Sequence, residues 1–527
     1  MLRSPLPDVE IPAVSIYDYL FSDLDDATLD TIAIVDGTTG AETTYRQLVG
    51  QIGLFAGALA ARGIAIGDRV GVLCPNVPAF ATVFHGILRA GATATTINSL
   101  YTADEIANQL DDAGADWLVT VSPLLAGAKA AAAQRGIADD HLIVLDGADG
   151  HPSLRDLLSE GHAAPDVTFD PATHLAVLPY SSGTTGHPKG VMLTHRNLVA
   201  NVAQCRPLLD VDHTDRLLAV LPFFHIYGMT VLLNFALRQR AGLVTMPKFD
   251  LLEFLRIISE HRTTWVFVAP PIAVALAKHP IVDQYDLSAI KVIFSGAAPL
   301  DGSLASAVAA RLGCEVVQGY GMTETSPAVN LIPAGHPEID KSSIGPLVPN
   351  TEARLVDPAT GADVDVPAEG DSAPGELWVR GPQVMVGYLN RPDATAEMLD
   401  ADGWLRTGDI ATTASDGTFR IVDRLKELIK YKGYQVAPAV LEAVLLEHPL
   451  IADAAVIGAN DEDGQEVPKA FIVTQKDATL TAEDVMTFVA SKVAPHEKVR
   501  QVEFIDSIPK SASGKILRKD LRARQGA

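Results

Sequence analysis

The chain is 527 residues long, 48% hydrophobic and 20% charged, the balance of a folded globular protein and not of a disordered one. Its formal net charge of −24 excludes nucleic acid and anionic membrane surfaces as main partners, because both require a broad basic face. Any anionic ligand must instead be met by a local cluster of cations and backbone N–H groups. Three widely spaced cysteines, Cys74, Cys205 and Cys314, exclude a disulfide framework and a cysteine zinc site. A membrane-spanning helix needs roughly 20 apolar residues, and the longest apolar stretch, Trp265 to Ala277, is broken by Pro270 and Pro271. Met1 to Pro12 carries three prolines and no apolar run, so it does not read as a secretory signal. The last six residues from Arg522 show no targeting tripeptide, and the expected location is the cytoplasm.

In chain order, the pattern predicts a helix over Tyr45 to Arg62, a strand at Arg69 to Leu73 and a helix over Pro78 to Ala90. Leu175 to Leu178, Leu217 to Leu221, Thr264 to Val268 and Lys291 to Phe294 are short apolar runs without alternation, as in strands buried on both faces. Helix-period segments, Leu251 to His261 and Leu304 to Leu312, lie between and after them. This alternation predicts parallel α/β sheets joined by crossover helices. Asp357 to Gly375 is acidic and rich in Pro, Gly and Ala, a hairpin-and-loop texture. Gly375 to Gly381 and Thr418 to Asp423 read as antiparallel strands of a β-rich subdomain. Beyond Arg424 a separate mixed pattern follows: a helix from near Pro438, strands at Ala454 to Ile457 and Lys469 to Thr474, and a helix from Ala482. The expected fold is therefore α/β, with a large N-terminal domain over residues 1–423 and a small α+β domain over 424–527. A hinge is expected near Asp423 to Lys426, and ligands commonly bind where two such bodies meet.

The strongest chemical signal is Ser181-Ser-Gly-Thr-Thr-Gly-His-Pro-Lys-Gly190, directly after a predicted strand. Its glycines allow close backbone approach, Ser181, Ser182, Thr184 and Thr185 supply hydroxyl donors, and Lys189 supplies a point charge. The spacing is not that of a Walker A loop, and Val191 to Leu193 continues as a strand. A triphosphate-binding loop is the expectation.

This loop, together with Gln318-Gly-Tyr-Gly-Met-Thr-Glu324, Thr407-Gly-Asp409, Arg424 and Pro509-Lys-Ser-Ala-Ser-Gly-Lys515, resembles the adenylate-forming superfamily. Its members include acyl-CoA ligases, peptide-synthetase adenylation domains and beetle luciferases. Pro222-Phe-Phe-His-Ile-Tyr227, Ser295-Gly-Ala-Ala-Pro-Leu300 and Leu425-Lys-Glu-Leu-Ile-Lys-Tyr-Lys-Gly433 are similar to the 4-coumarate:CoA ligase branch. The resemblance implies an acid–thiol ligase that uses ATP, Mg²⁺ and CoA, and a mobile small domain that serves two half-reactions.

Residue by residue, the resemblance implies the following roles. Lys515 bridges the acyl carboxylate and the phosphate, meeting charge that accumulates in the transition state. Ser181, Ser182, Gly183, Thr184, Thr185 and Lys189 hold the phosphates, and Thr323 contacts the α-phosphate. Glu324 is the Mg²⁺ ligand, a carboxylate suited to a hard cation. Gln318, Gly319 and Tyr320 hold and stack on adenine, while Asp409, helped by Arg424, accepts from the ribose hydroxyls. His225 gates or orients the substrate carboxylate. Tyr227, Ala297, Gly319, Pro327, Ala328 and Leu331 line an acyl pocket suited to a flat aromatic acid. Lys430 and Gln435 approach the reacting centre in thioester formation, Lys248, Lys432 and Gly433 contact CoA, and Lys426 is the hinge.

The expected substrates are cinnamate or 4-coumarate. Three departures lie on the acyl side: no cysteine in Gly375 to Gly381, Gly228 in place of a common serine, and Thr325-Ser326 in place of Ala-Gly. A medium- or long-chain fatty acyl-CoA ligase would share every catalytic motif. An amino-acid adenylation domain would need a carboxylate for the substrate amine, and Phe223 to Met229 offers none. A luciferase-like enzyme would share the adenylation half.

Overall fold

The computed structural model describes residues 1–181, 188–431, 434–461, 465–476, 478–511 and 514–524. Among the described residues, two eight-stranded sheets and one five-stranded sheet build the large body. One eight-stranded sheet has Trp265–Val268, Val292–Ser295 and Glu315–Gly321 on one side of Arg216–Ala219. Gly242–Thr245 and Ile32–Asp36 lie on its other side. These strands are parallel, with antiparallel strands only at the two edges. Trp265–Val268 and Val292–Ser295 are buried at every position, as their unbroken apolar runs require.

The chain leaves Arg216–Ala219 toward one neighbour and returns on the opposite side as Trp265–Val268. That reversal opens a crevice at the carboxyl ends of these two strands, where ligands of open α/β sheets bind. His225 follows the first strand and Ala269 the second.

The other eight-stranded sheet departs from the all-parallel expectation. Lys189–Thr194 runs antiparallel to Leu175–Val177, to Tyr180–Ser181 and to Gly387–Tyr388. A reciprocal cap at its end starts the following helix. Thr194 accepts from the Asn197 N–H, and Asn197 Oδ1 accepts from the Thr194 N–H at 2.9 Å. The third sheet is antiparallel, pairing Glu352–Val356, Gly375–Arg380, Leu405–Thr413 and Phe419–Arg424, which includes the two antiparallel strands expected at Gly375 to Gly381 and Thr418 to Asp423.

Residues 429–499 close a core of their own around Ile429, Leu441, Val456, Ile472 and Val485. Ile451–Asn460, Glu466–Thr474 and Gln501–Phe504 form its sheet, flanked by Pro438–Leu446 and Ala482–Ala490. Contacts among the described residues tie this smaller body to the large one, with Ile410 packed against Leu428 and Ala437. Lys278 Nζ donates to the Leu446 carbonyl at 3.1 Å, and Asp423 Oδ2 accepts from the Ala439 N–H at 2.8 Å. Gly514 rests against Ala269 and Pro271. No helix among the described residues is long and apolar enough to cross a membrane.

Candidate active site

The base of the Ser/Thr/Gly loop is a two-rung antiparallel ladder, Ser181 opposite Lys189 and Tyr180 opposite Gly190. Gly190 packs closely here, since a Cβ would stand 3.1 Å from the Tyr180 ring. Tyr180 is anchored in turn by donating its hydroxyl to Asp112 at 2.8 Å. Ser181 Oγ is buried without a hydrogen-bond partner among the described residues. Ser182, Gly183, Thr184 and Thr185 lie outside the described residues. Lys189 Nζ sits 5.0 Å from the centroid of the Tyr388 ring, and the Tyr388 hydroxyl donates to Glu324 Oε1 at 2.7 Å.

Beside this corner opens a cleft with about 450 Å³ of empty space, its mouth included. All six expected acyl-pocket residues line it: Tyr227, Ala297, Gly319, Pro327, Ala328 and Leu331. His225, Tyr320, Thr323 and Lys515 line the same cleft, so a residue of the C-terminal segment meets the crevice of the large sheet. Ile226, Val231, Phe294, Gly296, Gly321 and Met322 complete the wall and had not been singled out.

Local geometry explains how these groups are held. Tyr227 begins a π-helical stretch, Tyr227–Asn234, a wound form that recurs at functional sites. Its ring meets Phe294 and Phe267 edge-on, at centroid distances of 6.2 and 6.5 Å. A Cβ on Gly296 would come within 2.8 Å of that ring, so glycine makes the room. Ala328 is clamped at both backbone polar groups by the Asn201 amide, each bond 2.9 Å. Asn201 is a positioning residue with no sequence signature of its own. Ala297 is held at φ +72°, a left-handed conformation that a side chain disfavours.

The electrostatics separate neutral from charged groups. Burial and the neighbouring Lys515 ammonium pull the half-buried His225 down to about 3. The ring is therefore neutral near pH 7. Its Nδ1 accepts the Tyr227 N–H at 3.3 Å, which places the proton on Nε2. Burial, followed by the Arg424 charge, lowers Lys515, while Asp409 and Glu324 act to keep it protonated. Asp409 sits in strand Leu405–Thr413 after Gly408, whose φ of +72° needs glycine. Its Oδ2 accepts from the Tyr320 hydroxyl at 2.5 Å, and Oδ1 pairs with Arg424 at 3.4 Å. Burial raises the Asp409 carboxyl and Arg424 offsets part of that rise.

Other expected site residues stand elsewhere or do other work. The Gln318 amide is spent on the backbone of Leu300, at 3.1 and 3.0 Å, and on the Lys341 carbonyl at 2.6 Å. It braces the loop around Leu300 and leaves the cleft wall to Gly319 and Tyr320. Lys248 is exposed ahead of helix Leu251–His261 and does not line the cleft. Lys430 is exposed, pairs with Gln435 across a short hairpin, and does not line the cleft. Lys426 is exposed in the turn after Arg424. Lys432 and Gly433 lie outside the described residues.

Glu324 suits a magnesium ion, which takes one or two carboxylates and draws its remaining ligands from phosphates and water. It is only 5% exposed, and one of its oxygens is already fixed by Tyr388. Among the described residues no three His, Cys, Asp or Glu side chains gather to hold a metal by themselves.

A switch-point crevice, a hydroxyl-rich loop and a lysine delivered by a second body define the class: a two-body α/β adenylate-forming enzyme. The chain belongs to the AMP-binding enzyme family, whose model matches residues 23–389, with the AMP-binding enzyme C-terminal domain matching residues 440–515. It is 41% identical to 4-coumarate–CoA ligase 5 of Oryza sativa subsp. japonica, over all of this chain and 98% of that one. It is 42% identical to 4-coumarate–CoA ligase 1 of Solanum tuberosum, over all of this chain and 97% of that one. The solved anthranilate CoA ligase AuaEII in complex with anthranoyl-AMP superposes with a TM-score of 0.89 at 26% identity, over 97% of both chains.

Proposed function

We propose that the chain is a cytoplasmic, ATP-dependent carboxylate–CoA ligase acting on cinnamate-type aromatic acids. The observation that carries this is the meeting of Lys515 with His225 and Thr323 in one cleft, beside the nucleotide loop. In the first step a substrate carboxylate oxygen attacks the α-phosphorus of ATP. The bond to the pyrophosphate leaving group breaks, and an acyl-AMP and pyrophosphate result. Two anions must approach one another, so fixed cations are the main requirement. Lys515 supplies one between carboxylate and α-phosphate. Neutral His225 donates its Nε2–H to the carboxylate without adding a charge. Thr323 orients the α-phosphate, and Ser181, Ser182, Gly183, Thr184, Thr185 and Lys189 hold the phosphates. Glu324 would hold Mg²⁺, which supplies charge neutralisation on the phosphates. Tyr320 faces the adenine, and Asp409 with Arg424 takes the ribose hydroxyls.

In the second step the CoA thiol adds to the acyl carbonyl carbon, AMP leaves and a thioester forms. Lys430 does not line the cleft that contains Lys515, which supports a turn of the body over residues 424–527 about Lys426 for this step. Lys430 and Gln435 then face the reacting centre, with Lys432, Gly433 and Lys248 along the CoA path. The edge-on aromatic wall of Tyr227 and Phe294 supports a flat aromatic acyl group. ATP–pyrophosphate exchange across cinnamic, benzoic and fatty acids tests the reading. Exchange with cinnamates is expected, and a clear preference for octanoate would replace the aromatic assignment.

A further inference from the structure

Tyr388 was not read from the sequence, yet it touches two groups of the nucleotide corner at once. It is 5% exposed and sits in the two-residue strand Gly387–Tyr388. Its hydroxyl donates to Glu324 Oε1 at 2.7 Å, and its ring face lies 5.0 Å from Lys189 Nζ. A carboxylate on a three-bond side chain can rotate. With one oxygen held by a buried phenol, that rotation is stopped.

The segment carrying Tyr388 is itself fixed at several points. The Met385 N–H donates to the Glu324 carbonyl at 2.8 Å, and the Leu389 N–H donates to the Gly190 carbonyl at 2.8 Å. The Tyr388 N–H donates to Thr395 Oγ1 at 2.9 Å. Gly387 turns at φ +146°, where a Cβ would strike Thr395 at 2.8 Å, so the approach depends on glycine. The segment thus laces the Thr323–Thr325 turn to the strand that leaves the nucleotide loop.

We propose that Tyr388 is a positioning residue of the Mg²⁺·ATP site, its hydroxyl fixing Glu324 for the metal and its ring face holding Lys189 for the phosphates. The proposal rests on Glu324 being the magnesium ligand. Hydroxyl and ring make separate contributions. The hydroxyl acts through the carboxylate and so affects metal-dependent binding, whereas the ring acts through a cation–π contact on the lysine and affects phosphate binding with or without metal.

The test is calorimetric binding of a non-hydrolysable ATP analogue to the full chain, without metal and across a Mg²⁺ titration, with thermal unfolding of each variant alongside. Tyr388→Phe keeps the ring and removes the hydroxyl. The Mg²⁺ concentration for half-maximal enhancement is expected to rise about tenfold, the scale of one hydrogen bond to a charged group, with metal-free binding within about twofold of wild type. Tyr388→Leu should weaken metal-free binding several-fold as well. Glu324→Gln is the control for the underlying reading. If Glu324→Gln shifts the Mg²⁺ midpoint and Tyr388→Phe does not, the role of Tyr388 is refuted while the metal assignment stands. If Glu324→Gln shifts nothing, the metal assignment fails and the proposal falls with it. Parallel losses of unfolding temperature and metal-free binding in Tyr388→Phe would mark a merely structural residue and overturn the proposal.

Discussion

A Cβ on Gly514 would stand 2.9 Å from the Cβ of Ala269, and Gly514 itself turns at φ +83°. The loop that delivers Lys515 therefore presses on the start of helix Pro270–Lys278 at a point with no room for a side chain. Gly514→Ala should cost roughly 1–2 kcal/mol in backbone strain alone, before the contact is counted. The contact cost falls on the arrangement with Lys515 in the cleft, because Ala269 belongs to the large body. Pyrophosphate exchange is expected to drop about tenfold or more, since 1.4 kcal/mol is a tenfold change. Thioester formation from supplied acyl-AMP should stay within about twofold. Equal losses in the two assays would mean that the loop matters to both arrangements.

Lys515→Ala carries the same logic to the charge itself. With the ammonium gone, the cation set between carboxylate and phosphate in the proposed mechanism is lost. Adenylation should fall by at least two orders of magnitude, about the scale seen when a preorganised transition-state donor is removed. Conversion of acyl-AMP to thioester should survive. The assignment is lost if single-turnover rates for the two half-reactions fall together.

Lys426→Pro probes the turn between the two bodies. Proline fixes φ near −65° and removes an N–H, so rotation there is hindered. Pyrophosphate exchange should persist, and CoA-dependent AMP release should slow at least fivefold. Unchanged AMP release would move the hinge away from Lys426.

What the sequence disclosed, and what it withheld, follows from how far apart the partners lie. Trp265–Val268 and Val292–Ser295 were legible because a strand covered on both faces needs an unbroken apolar run. The wall of the cleft was legible through the family resemblance of the motifs that carry Tyr227, Ala297 and the segment from Gly319 to Leu331. Ile32–Asp36 is buried at its three central positions but pairs with Gly242–Thr245, and a contact so distant in sequence leaves no local trace. Tyr388 and Asn201 act by reaching a carboxylate and a backbone over long stretches of chain, again without a local pattern. The π-helical winding at Tyr227–Asn234 follows from packing under the sheet ends, and its residues differ little from those of an ordinary helix.

Three imidazoles give a pH prediction. Burial holds His85 at about 4 and His195 at about 3, the latter helped by its neighbour His174. His225 also stands at about 3. Below their ordinary value of about 6.5, the unfolded chain binds protons that these folded-state rings refuse. Stability is therefore complete above about pH 6.5 and declines as pH falls toward 4. The urea midpoint should fall between pH 7 and pH 5, and His195→Asn should flatten that slope. A midpoint independent of pH would show that these rings take up protons in the folded state as readily as in the unfolded chain.

The last prediction concerns Ala297, which lines the cleft proposed for the acyl group in a left-handed conformation at φ +72°. Alanine there carries a strain of roughly 1–2 kcal/mol that glycine does not. Ala297→Gly therefore has two separable effects. Relief of strain should raise the unfolding temperature, less the entropy that glycine adds to the unfolded chain, for a net change of about 0–1 kcal/mol. Loss of the methyl group widens the cleft beside Tyr227. Bulkier rings gain more from that space, because overpacking a closed wall costs roughly 1–3 kcal/mol. The ratio of kcat/KM for ferulate to that for cinnamate should rise about tenfold or more in the variant, with cinnamate itself changing little. A ratio that stays level while the unfolding temperature rises would confine Ala297 to a backbone role and place the methoxy-facing wall elsewhere in the cleft. A ratio that rises together with unfolding temperature would identify one residue as both a strain point and a specificity determinant. Strain would then have been retained at Ala297 because its methyl group narrows the acyl site.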